Sequence, residues 1–100
     1  MKTLQQEVLY WAEGQFGKSP ELSIAIRGNK EMAELVSTIS NGMGKKEIGE
    51  ECADVAFFLL QICEKNGFDL MTEVSKKLVI NRDRSWEIAS DGSHQHVEGT

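Results

Sequence analysis

The sequence has few of the residues on which several classes of small protein depend. It contains two cysteines among 100 residues, and the 11-residue spacing of Cys52 and Cys63 fits no zinc-binding pattern. We expect both to be small buried side chains on one helical stripe, in a reducing compartment. No apolar run approaches membrane-spanning length, and residues 1–8 lack the apolar stretch of a signal peptide. These absences predict a cytoplasmic protein.

Histidine is also scarce, and its placement excludes most nucleophilic mechanisms. His94 and His96 lie near the C-terminal end, so no histidine is available to activate a serine or cysteine nucleophile. As a pair they lack a third ligand for a metal ion. Gly42 and Gly44 lack the lysine spacing of a Walker-type phosphate loop.

Positive charge is in deficit. Asp and Glu number 16 against 11 Lys and Arg, which gives a formal net charge of -5. Binders of nucleic acids or anionic membranes need concentrated positive charge, so we expect neither a nucleic-acid polymer nor a membrane as partner. An acidic chain can still bind a phosphate-bearing ligand when divalent metal ions bridge the two.

Helix-forming segments separated by turn signals account for most of the chain. Thr3 and Gln6 form a capping-box pattern ahead of an apolar stripe, and Ser19 before Pro20 predicts the N-cap of a second helix. No segment has the sustained alternation typical of strands, so the predicted fold is all-α. Four helices are predicted, over about residues 3–15, 20–40, 45–65 and 70–86.

The chain length predicts one domain that needs a partner subunit. We assign residues 1–88 to a helical domain and expect residues 89–100, which contain Ser, Gly, His and Gln, to form a flexible tail. A domain of this size buries only a limited core. We therefore expect oligomerisation to complete the four-helix bundle.

Two of the predicted helices carry a pair of acidic residues at the same spacing. Glu31 and Glu34 lie on the second helix, and Glu51 and Asp54 lie on the third. An i, i+3 spacing puts both carboxylates of a pair on one side of its helix, here beside the apolar stripe, where repulsion and lost hydration are unfavourable. Four converging carboxylates would suit a hard cation such as Mg²⁺ or Mn²⁺.

A solvated surface explains the same acidic spacing without any chemistry, because such pairs are common on exposed helix faces. In that interpretation the protein is a non-catalytic helical module for dimerisation or regulation. The two interpretations differ in whether the carboxylates converge. A metal site requires the four of them to point at one spot.

A basic segment follows on the fourth predicted helix. Lys77, Asn81 and Arg84 stand at i, i+4 and i+7 and so share one face. Lys and Arg there would bind phosphate oxygens, and the asparagine would complete the polar contacts. Cations in a last helical turn also favour the helix dipole, so both interpretations stay open.

The order of these blocks resembles that of the MazG-like nucleotide pyrophosphohydrolases, which belong to the all-α NTP pyrophosphatase superfamily. The acidic pattern, Glu31-x-x-Glu34 followed after 16 residues by Glu51-x-x-Asp54, resembles the metal-binding signature of that family. Residues 77–86 are similar to the lysine, asparagine and arginine segment that follows it in many members.

Two further features bear on this resemblance. Residues 10–17, Tyr-Trp-Ala-Glu-Gly-Gln-Phe-Gly, are similar to the opening of phage-encoded members, and Gly28 ahead of the acidic motif also fits. Lys30 is a departure, because the usual signature begins with two adjacent acids. A lysine there would lower metal affinity or contact a phosphate.

The resemblance implies hydrolysis of a nucleoside triphosphate to its monophosphate and pyrophosphate, with Mg²⁺ as cofactor and Mn²⁺ able to substitute. It makes the four acidic residues both metal ligands and catalytic residues. A metal-bound water is the expected nucleophile, since the ion lowers its pKa, and one glutamate is expected to take its proton. The basic segment would hold the phosphate tail. The family further implies a homodimer or homotetramer, in the host cytoplasm if the protein is phage-encoded.

The base pocket is the part on which the sequence carries the weakest signal. Trp11 and Phe16 are candidates for stacking on a base, although core or interface packing is the favoured interpretation of both, and Asn29 is a candidate for hydrogen bonds to a base edge. The phage-like opening indicates a purine deoxynucleotide such as dGTP, as in the MazZ-type branch. The alternatives are a pyrimidine housecleaning hydrolase acting on dUTP or dCTP and the non-catalytic module.

Overall fold

The structure is a computed structural model and describes residues 1–84, 86–88 and 91–97. The helical elements dominate, which confirms the predicted all-α class, and a short hairpin follows them. Two compact units divide the chain, residues 1–70 and 71–100. The elements in chain order are α1 (Leu4–Phe16), α2 (Glu21–Ser40), α3 (Lys45–Lys65), α4 (Leu70–Asp83), β1 (Trp86–Ile88) and β2 (His94–His96).

The capping box predicted at the start of α1 is confirmed. The backbone N–H of Gln6 donates to Thr3 Oγ1 at 3.2 Å, and the backbone N–H of Thr3 donates to Gln6 Oε1 at 2.9 Å. Each side chain therefore satisfies a backbone donor that the first helical turn leaves unpaired. The helix ends where Gly17 takes a positive φ of 75°.

The N-cap predicted for α2 is wrong. Pro20, not Ser19, occupies that position, with φ -59° and ψ 144°, and no side chain caps the helix. The proline ring fixes an extended residue directly before Glu21, so the helix begins one residue later than Ser19 would allow. The carbonyl oxygen of Pro20 accepts the first helical hydrogen bond, from the N–H of Ile24.

Helices α2 and α3 run antiparallel and pack against each other along their length. A short turn connects them, in which Gly42 has a φ of 68°. Near the far end, Asn66 Nδ2 donates to Glu21 Oε1. In the middle the helices approach closely at Gly28, where an added Cβ would lie 3.0 Å from the Cβ of Phe58. A side chain at position 28 would push the helices apart.

Helix α1 packs against α3 through an apolar stripe and one buried polar residue. Val8 and Ala12 of α1 are buried together with Ile24 and Cys63. Gln5 is also buried; its Nε2 donates to the Phe68 carbonyl oxygen at 2.8 Å and to Glu64 at 3.2 Å, and its Oε1 accepts from the Leu70 N–H at 3.0 Å. Gln5 therefore ties α1 to the end of α3 and the loop after it.

The expectation for the cysteines is half correct. Both cysteines lie on α3, whose ends at Lys45 and Lys65 match those of the predicted third helix. Cys63 is buried, but Cys52 is exposed, and neither forms a disulfide bond among the described residues. The 11-residue spacing places both on one stripe, but only the C-terminal part of that stripe is covered by α1.

The second unit contains the part of the fold that the sequence pattern did not predict. Helix α4 ends at Asp83 rather than at Trp86, and Trp86–Ile88 pairs antiparallel with His94–His96, inside the predicted tail. The Trp86 ring contacts the rings of His94 and His96, with centroids 5.4 and 5.9 Å away. Residues 89, 90 and 98–100 of that predicted tail lie outside the described residues.

Within the part of the chain that the structure describes, no helix is long and apolar enough to cross a membrane. The cytoplasmic location stays a prediction.

We predict that Gln5→Ala lowers the free energy of unfolding by about 2 to 3 kcal/mol, because it leaves the Leu70 N–H and the Phe68 carbonyl without their partner. Urea denaturation followed by circular dichroism measures the change. Gln15→Ala, at an exposed glutamine of the same helix, is the matched control and should change stability by less than about 0.5 kcal/mol. Equal effects of the two substitutions would contradict the anchoring role of Gln5.

Candidate functional site

Three of the four predicted carboxylates converge where α2 faces α3. One oxygen each from Glu31, Glu51 and Asp54 lie within 4.8 Å of one another. Glu51 and Asp54 share a face of α3 because they are three residues apart. The antiparallel packing then brings Glu31 of α2 opposite them. Helix packing, and not spacing within one helix, creates the cluster.

Glu34 stands next to this cluster but outside its closest group. Its charge acts on both Glu31 and Glu51 and raises the pKa of each. Glu34 is exposed, whereas Glu31 and Glu51 are half-buried. The fourth predicted carboxylate therefore borders the site from the solvent side.

Burial and the crowding of acidic groups raise the pKa of Glu31 and Glu51. Loss of hydration raises the pKa of Glu31 above its usual 4.5, and the charges of Glu34 and Asp54 raise it further. Loss of hydration likewise raises the pKa of Glu51, together with the charges of Glu34 and Asp54. Both glutamates are therefore harder to ionise than an isolated glutamate, and a nearby positive charge would oppose this effect.

The donor set fits a divalent cation. Glu51 Oε2 is buried and has no hydrogen-bond partner among the described residues. A buried, unpaired carboxylate oxygen is unfavourable unless a cation or another donor compensates it. Carboxylate oxygens less than about 5 Å apart can share one hard cation at metal–oxygen distances of about 2.0 to 2.6 Å. Oxygen-only ligation favours Mg²⁺ or Mn²⁺ over softer metals.

A cavity of about 370 Å³ extends from these carboxylates between the first three helices. Its size is within the range of small-molecule sites. Glu31 and Asp54 lie in its wall, and most of the remaining wall is apolar or aromatic. The lining residues are Leu9, Trp11, Ala12, Glu13, Phe16, Gly17, Ser19, Ile24, Arg27, Glu31, Asp54, Phe57, Phe58, Gln61 and Lys65.

Trp11 and Phe16, the two predicted stacking residues, both line this cavity. The Trp11 ring meets the rings of Phe16 and Phe57 edge to face, with centroids 5.7 and 5.8 Å away. Trp11 and Phe16 both remain more than half exposed. Their rings are therefore held by aromatic contacts at the edge of the cavity. Asn29, the third candidate, is exposed and is not among the lining residues.

Several residues of the cavity wall were not predicted as site residues from the sequence. Phe58, Gln61 and Lys65 follow the predicted Asp54 on α3 at intervals of four, three and four residues, so they form one stripe with it. Arg27 stands one turn before Glu31 on α2. Extending the stripe from each carboxylate along its own helix would have found these residues.

The predicted basic segment lies in the second unit and is partly non-helical. Lys77 and Asn81 share a face of α4, but Arg84 lies one residue beyond its end at Asp83, with its N–H bonded to the Asn81 carbonyl oxygen at 3.3 Å. The predicted single helical face therefore holds for Lys77 and Asn81 and is wrong for Arg84. The side-chain Oδ1 of Asn81 is buried without a partner among the described residues, while its carbonyl oxygen also accepts from Trp86 Nε1 at 2.9 Å.

We predict that Glu51→Gln makes the metal-free protein more stable at pH 7. A carboxyl with a raised pKa in the folded state contributes stability below its unfolded pKa of about 4.5, and this stability is lost as the pH rises through the folded pKa. The amide cannot ionise and so avoids this loss. Thermal unfolding in EDTA should give a higher midpoint for Glu51→Gln at pH 7, and a smaller difference near pH 4.

Glu50→Gln, at an exposed position beside Glu51, is the matched control and should change the midpoint less. Added Mg²⁺ or Mn²⁺ should raise the midpoint of the wild-type protein more than that of Glu51→Gln. If the wild-type midpoint in EDTA does not decrease relative to that of Glu51→Gln as the pH is raised from 4 to 7, the repulsion inferred for the cluster is contradicted.

Comparisons with known proteins place this arrangement in a family. No family model matches the chain. The chain is 35% identical over 94 residues to a dATP/dGTP diphosphohydrolase of Salmonella phage PMBT28 and 38% identical over 50 residues to the dATP/dGTP diphosphohydrolase of Cyanophage S-2L. These matches include 94% and 50% of this chain. They span only 30% and 48% of the two relatives, so the chain matches less than half the length of either.

Two solved structures resemble the fold over nearly their whole length. One is the Cyanophage S-2L MazG-like pyrophosphohydrolase bound to dGDP and three catalytic Mn²⁺ ions per active site, with a TM-score of 0.76 and 27% identity over 97% of this chain and 92% of that one. The other is the Bacillus-conserved MazG protein, a nucleotide pyrophosphohydrolase, with a TM-score of 0.62 and 30% identity over 85% of this chain and 93% of that one. The chain shares its fold and 27% and 30% of its aligned sequence with these two proteins, and it has a carboxylate cluster between α2 and α3. It therefore belongs to the MazG-like pyrophosphohydrolases.

Proposed function

We propose that this protein hydrolyses a purine deoxynucleoside triphosphate such as dGTP to its monophosphate and pyrophosphate, with a divalent metal ion. The observation that carries the proposal is the convergence of Glu31, Glu51 and Asp54 beside an aromatic cavity of about 370 Å³. Relatives named dATP/dGTP diphosphohydrolases support the substrate class, and the cyanophage structure bound to dGDP supports the purine.

The convergence of the acids also weighs against the non-catalytic alternative. A solvated acidic face keeps its carboxylates apart and hydrated, because repulsion is then weakest. In this protein Glu51 Oε2 is buried without a partner among the described residues, and the pKa of Glu31 is raised by lost hydration and by its acidic neighbours. An arrangement so unfavourable without a cation is typical of a binding site.

In the proposed function, Glu31, Glu51 and Asp54 hold the metal, with Glu34 completing the acidic set. Mg²⁺ is the proposed cofactor, and Mn²⁺, which the cyanophage relative binds, substitutes for it. Once bound, such an ion lowers the pKa of water and neutralises charge on phosphate oxygens. The catalytic assignments of the four carboxylates all belong to this proposal.

The chain's own residues bind and orient the substrate. Trp11 and Phe16 would cover the faces of the base, and the apolar wall around them would exclude water from it. Lys77, Asn81 and Arg84 are proposed to bind phosphate oxygens, because ammonium, guanidinium and amide groups supply hydrogen-bond donors that carboxylates lack. The acidic cluster repels a bare triphosphate, so the substrate binds only together with its cation.

We predict that, when Mg²⁺ or Mn²⁺ is present, the wild-type protein converts dGTP to equal amounts of pyrophosphate and dGMP. Glu51→Gln should lower kcat/KM on the order of 100-fold or more, because it removes a charged ligand from the reacting centre. A panel of purine and pyrimidine triphosphates, analysed by chromatography and by pyrophosphate release, makes the measurement.

Glu50→Gln is again the control, since it removes the same charge one residue away on α3 and should retain turnover. Circular dichroism verifies that each variant is folded. A folded, metal-loaded protein that turns over no nucleotide would overturn the proposed function, and turnover confined to dUTP or dCTP would overturn the purine assignment.

We also propose that the protein is a homodimer or homotetramer. An exposed apolar stripe runs along α2, with Val36 57% and Ile39 56% exposed beside the exposed Met32, and Met43 is exposed just beyond the end of the helix. Met32, Val36 and Ile39 recur at four and three residues and therefore lie on one face. An apolar face of this kind on a short chain with a small buried core is typical of a subunit contact.

We predict that Val36→Glu, which places a charge on this stripe, weakens self-association by about 10-fold or more. Sedimentation velocity over a concentration series measures it. Ser23→Glu, at an exposed residue on the opposite side of α2, should leave association unchanged. A wild-type protein that remains monomeric at high concentration would contradict the proposed assembly.

A further inference from the structure

Arg27 is a charged hydrogen-bond donor in the cavity wall, and the proposed reaction assigns it no role. It lies on α2 in the cavity wall, and its Nε is buried with no hydrogen-bond partner among the described residues. Its Cζ lies 5.8 Å from the centroid of the Phe58 ring. A buried guanidinium donor without an acceptor is unfavourable, so a ligand acceptor is the natural partner in this cavity.

The position of Arg27 separates it from the metal-binding carboxylates. On α2 it precedes Glu31 by four residues, and on α3 Phe58 follows Asp54 by four, so both helices advance one turn between the two pairs. Four residues correspond to about 6 Å along the helix axis. With its guanidinium beside Phe58, Arg27 faces the aromatic part of the cavity. A nucleotide whose phosphates lie at the carboxylates would extend its base toward this part.

Gln61 lies one further turn along α3 and offers the complementary group. It is buried in the cavity wall, and its Nε2 donates to the Phe57 carbonyl oxygen at 3.2 Å. This hydrogen bond orients the amide and leaves Oε1 as an acceptor. The aromatic part of the cavity thus combines a donor from α2, an acceptor from α3 and the flat walls of Trp11 and Phe57.

This combination distinguishes between the two purines. Guanine presents two neighbouring acceptors, N7 and O6, and carries a 2-amino donor, whereas adenine presents N7 beside a 6-amino donor. A guanidinium only donates, so it matches the O6 and N7 edge of guanine and opposes the amino group of adenine. The Oε1 of Gln61 can accept from the N–H groups on the opposite edge of guanine.

We propose that Arg27 and Gln61 recognise guanine and make the site selective for 6-oxopurine over adenine nucleotides. The proposal rests on the proposed function in one respect, that the cavity receives the base of the nucleotide. It goes beyond the relatives named for both dATP and dGTP, because it assigns a preference between the two bases to two residues.

The test measures binding rather than turnover. Isothermal titration calorimetry with Mg²⁺ compares dGMP, dAMP and 7-deaza-dGMP, in which a carbon replaces the N7 acceptor. The wild-type protein should bind dGMP about 10-fold or more tightly than dAMP, and the loss of N7 should weaken binding by several-fold. These comparisons use no variant, so they do not depend on the stability of a substituted protein.

Variants then assign the preference to its residues. Arg27→Met should weaken dGMP binding by about 10-fold to 100-fold, change dAMP binding by less than about threefold, and remove the difference between dGMP and its 7-deaza analogue. Arg27→Lys keeps the positive charge but loses the planar pair of guanidinium donors, so its affinity for dGMP should lie between those of the wild-type protein and Arg27→Met. Gln61→Leu should weaken dGMP more than dIMP, which lacks the 2-amino group. Lys46→Gln, at an exposed cation of α3 that is not in the cavity wall, is the matched control.

Three results would overturn the proposal: no discrimination between dGMP and dAMP by the folded wild-type protein, equal weakening of both nucleotides by Arg27→Met, or no binding of either. Equal weakening would indicate a phosphate or structural role for Arg27. Selective binding of dGMP without any triphosphate hydrolysis would support the recognition and reject the proposed reaction, so the two fail separately.

Discussion

The close antiparallel packing of α2 on α3 is the constraint on which the site depends. The helices approach at Gly28, where an added Cβ would stand 3.0 Å from the Cβ of Phe58. This contact fixes their register, which brings Glu31 opposite Asp54. A larger residue at position 28 would separate or shift the helices, and the carboxylates would then no longer share one spot.

The acidic cluster is stable only because other contacts compensate for it. Lost hydration and the charges of Glu34 and Asp54 raise the pKa of Glu31 and Glu51, and Glu51 Oε2 is buried without a partner among the described residues. The helices that hold it are held in turn by apolar packing around Ile24 and by the hydrogen bonds of Gln5 at the far end of α3. This arrangement lowers the stability of the free protein and raises its affinity for a cation.

The same register orders the cavity along the helix axes. Carboxylates occupy one turn, Arg27 and Phe58 the next, and Ile24 and Gln61 the one after. Helix α1 closes the side with Trp11 and Phe16. Over about 10 Å the wall therefore changes from anionic to aromatic. This gradient suits a ligand with a metal-bound phosphate at one end and a planar ring at the other.

The sequence by itself determined the local features of this protein. The capping box at Thr3, the bounds of α3 and the acidic pairs follow from hydrogen bonds and spacings within a few residues, and the family resemblance predicted the carboxylates as the site. Ser19 failed as a cap because Pro20 preceded the helix directly. Tertiary structure alone decided that Glu34 borders the cluster, that Arg27 and Gln61 meet in one cavity, that Cys52 is exposed, and that Trp86 pairs with His96 in a hairpin. The reason is physical: each of these depends on contacts between segments distant in the chain, and their register is set by packing between helices or strands, which no local pattern records.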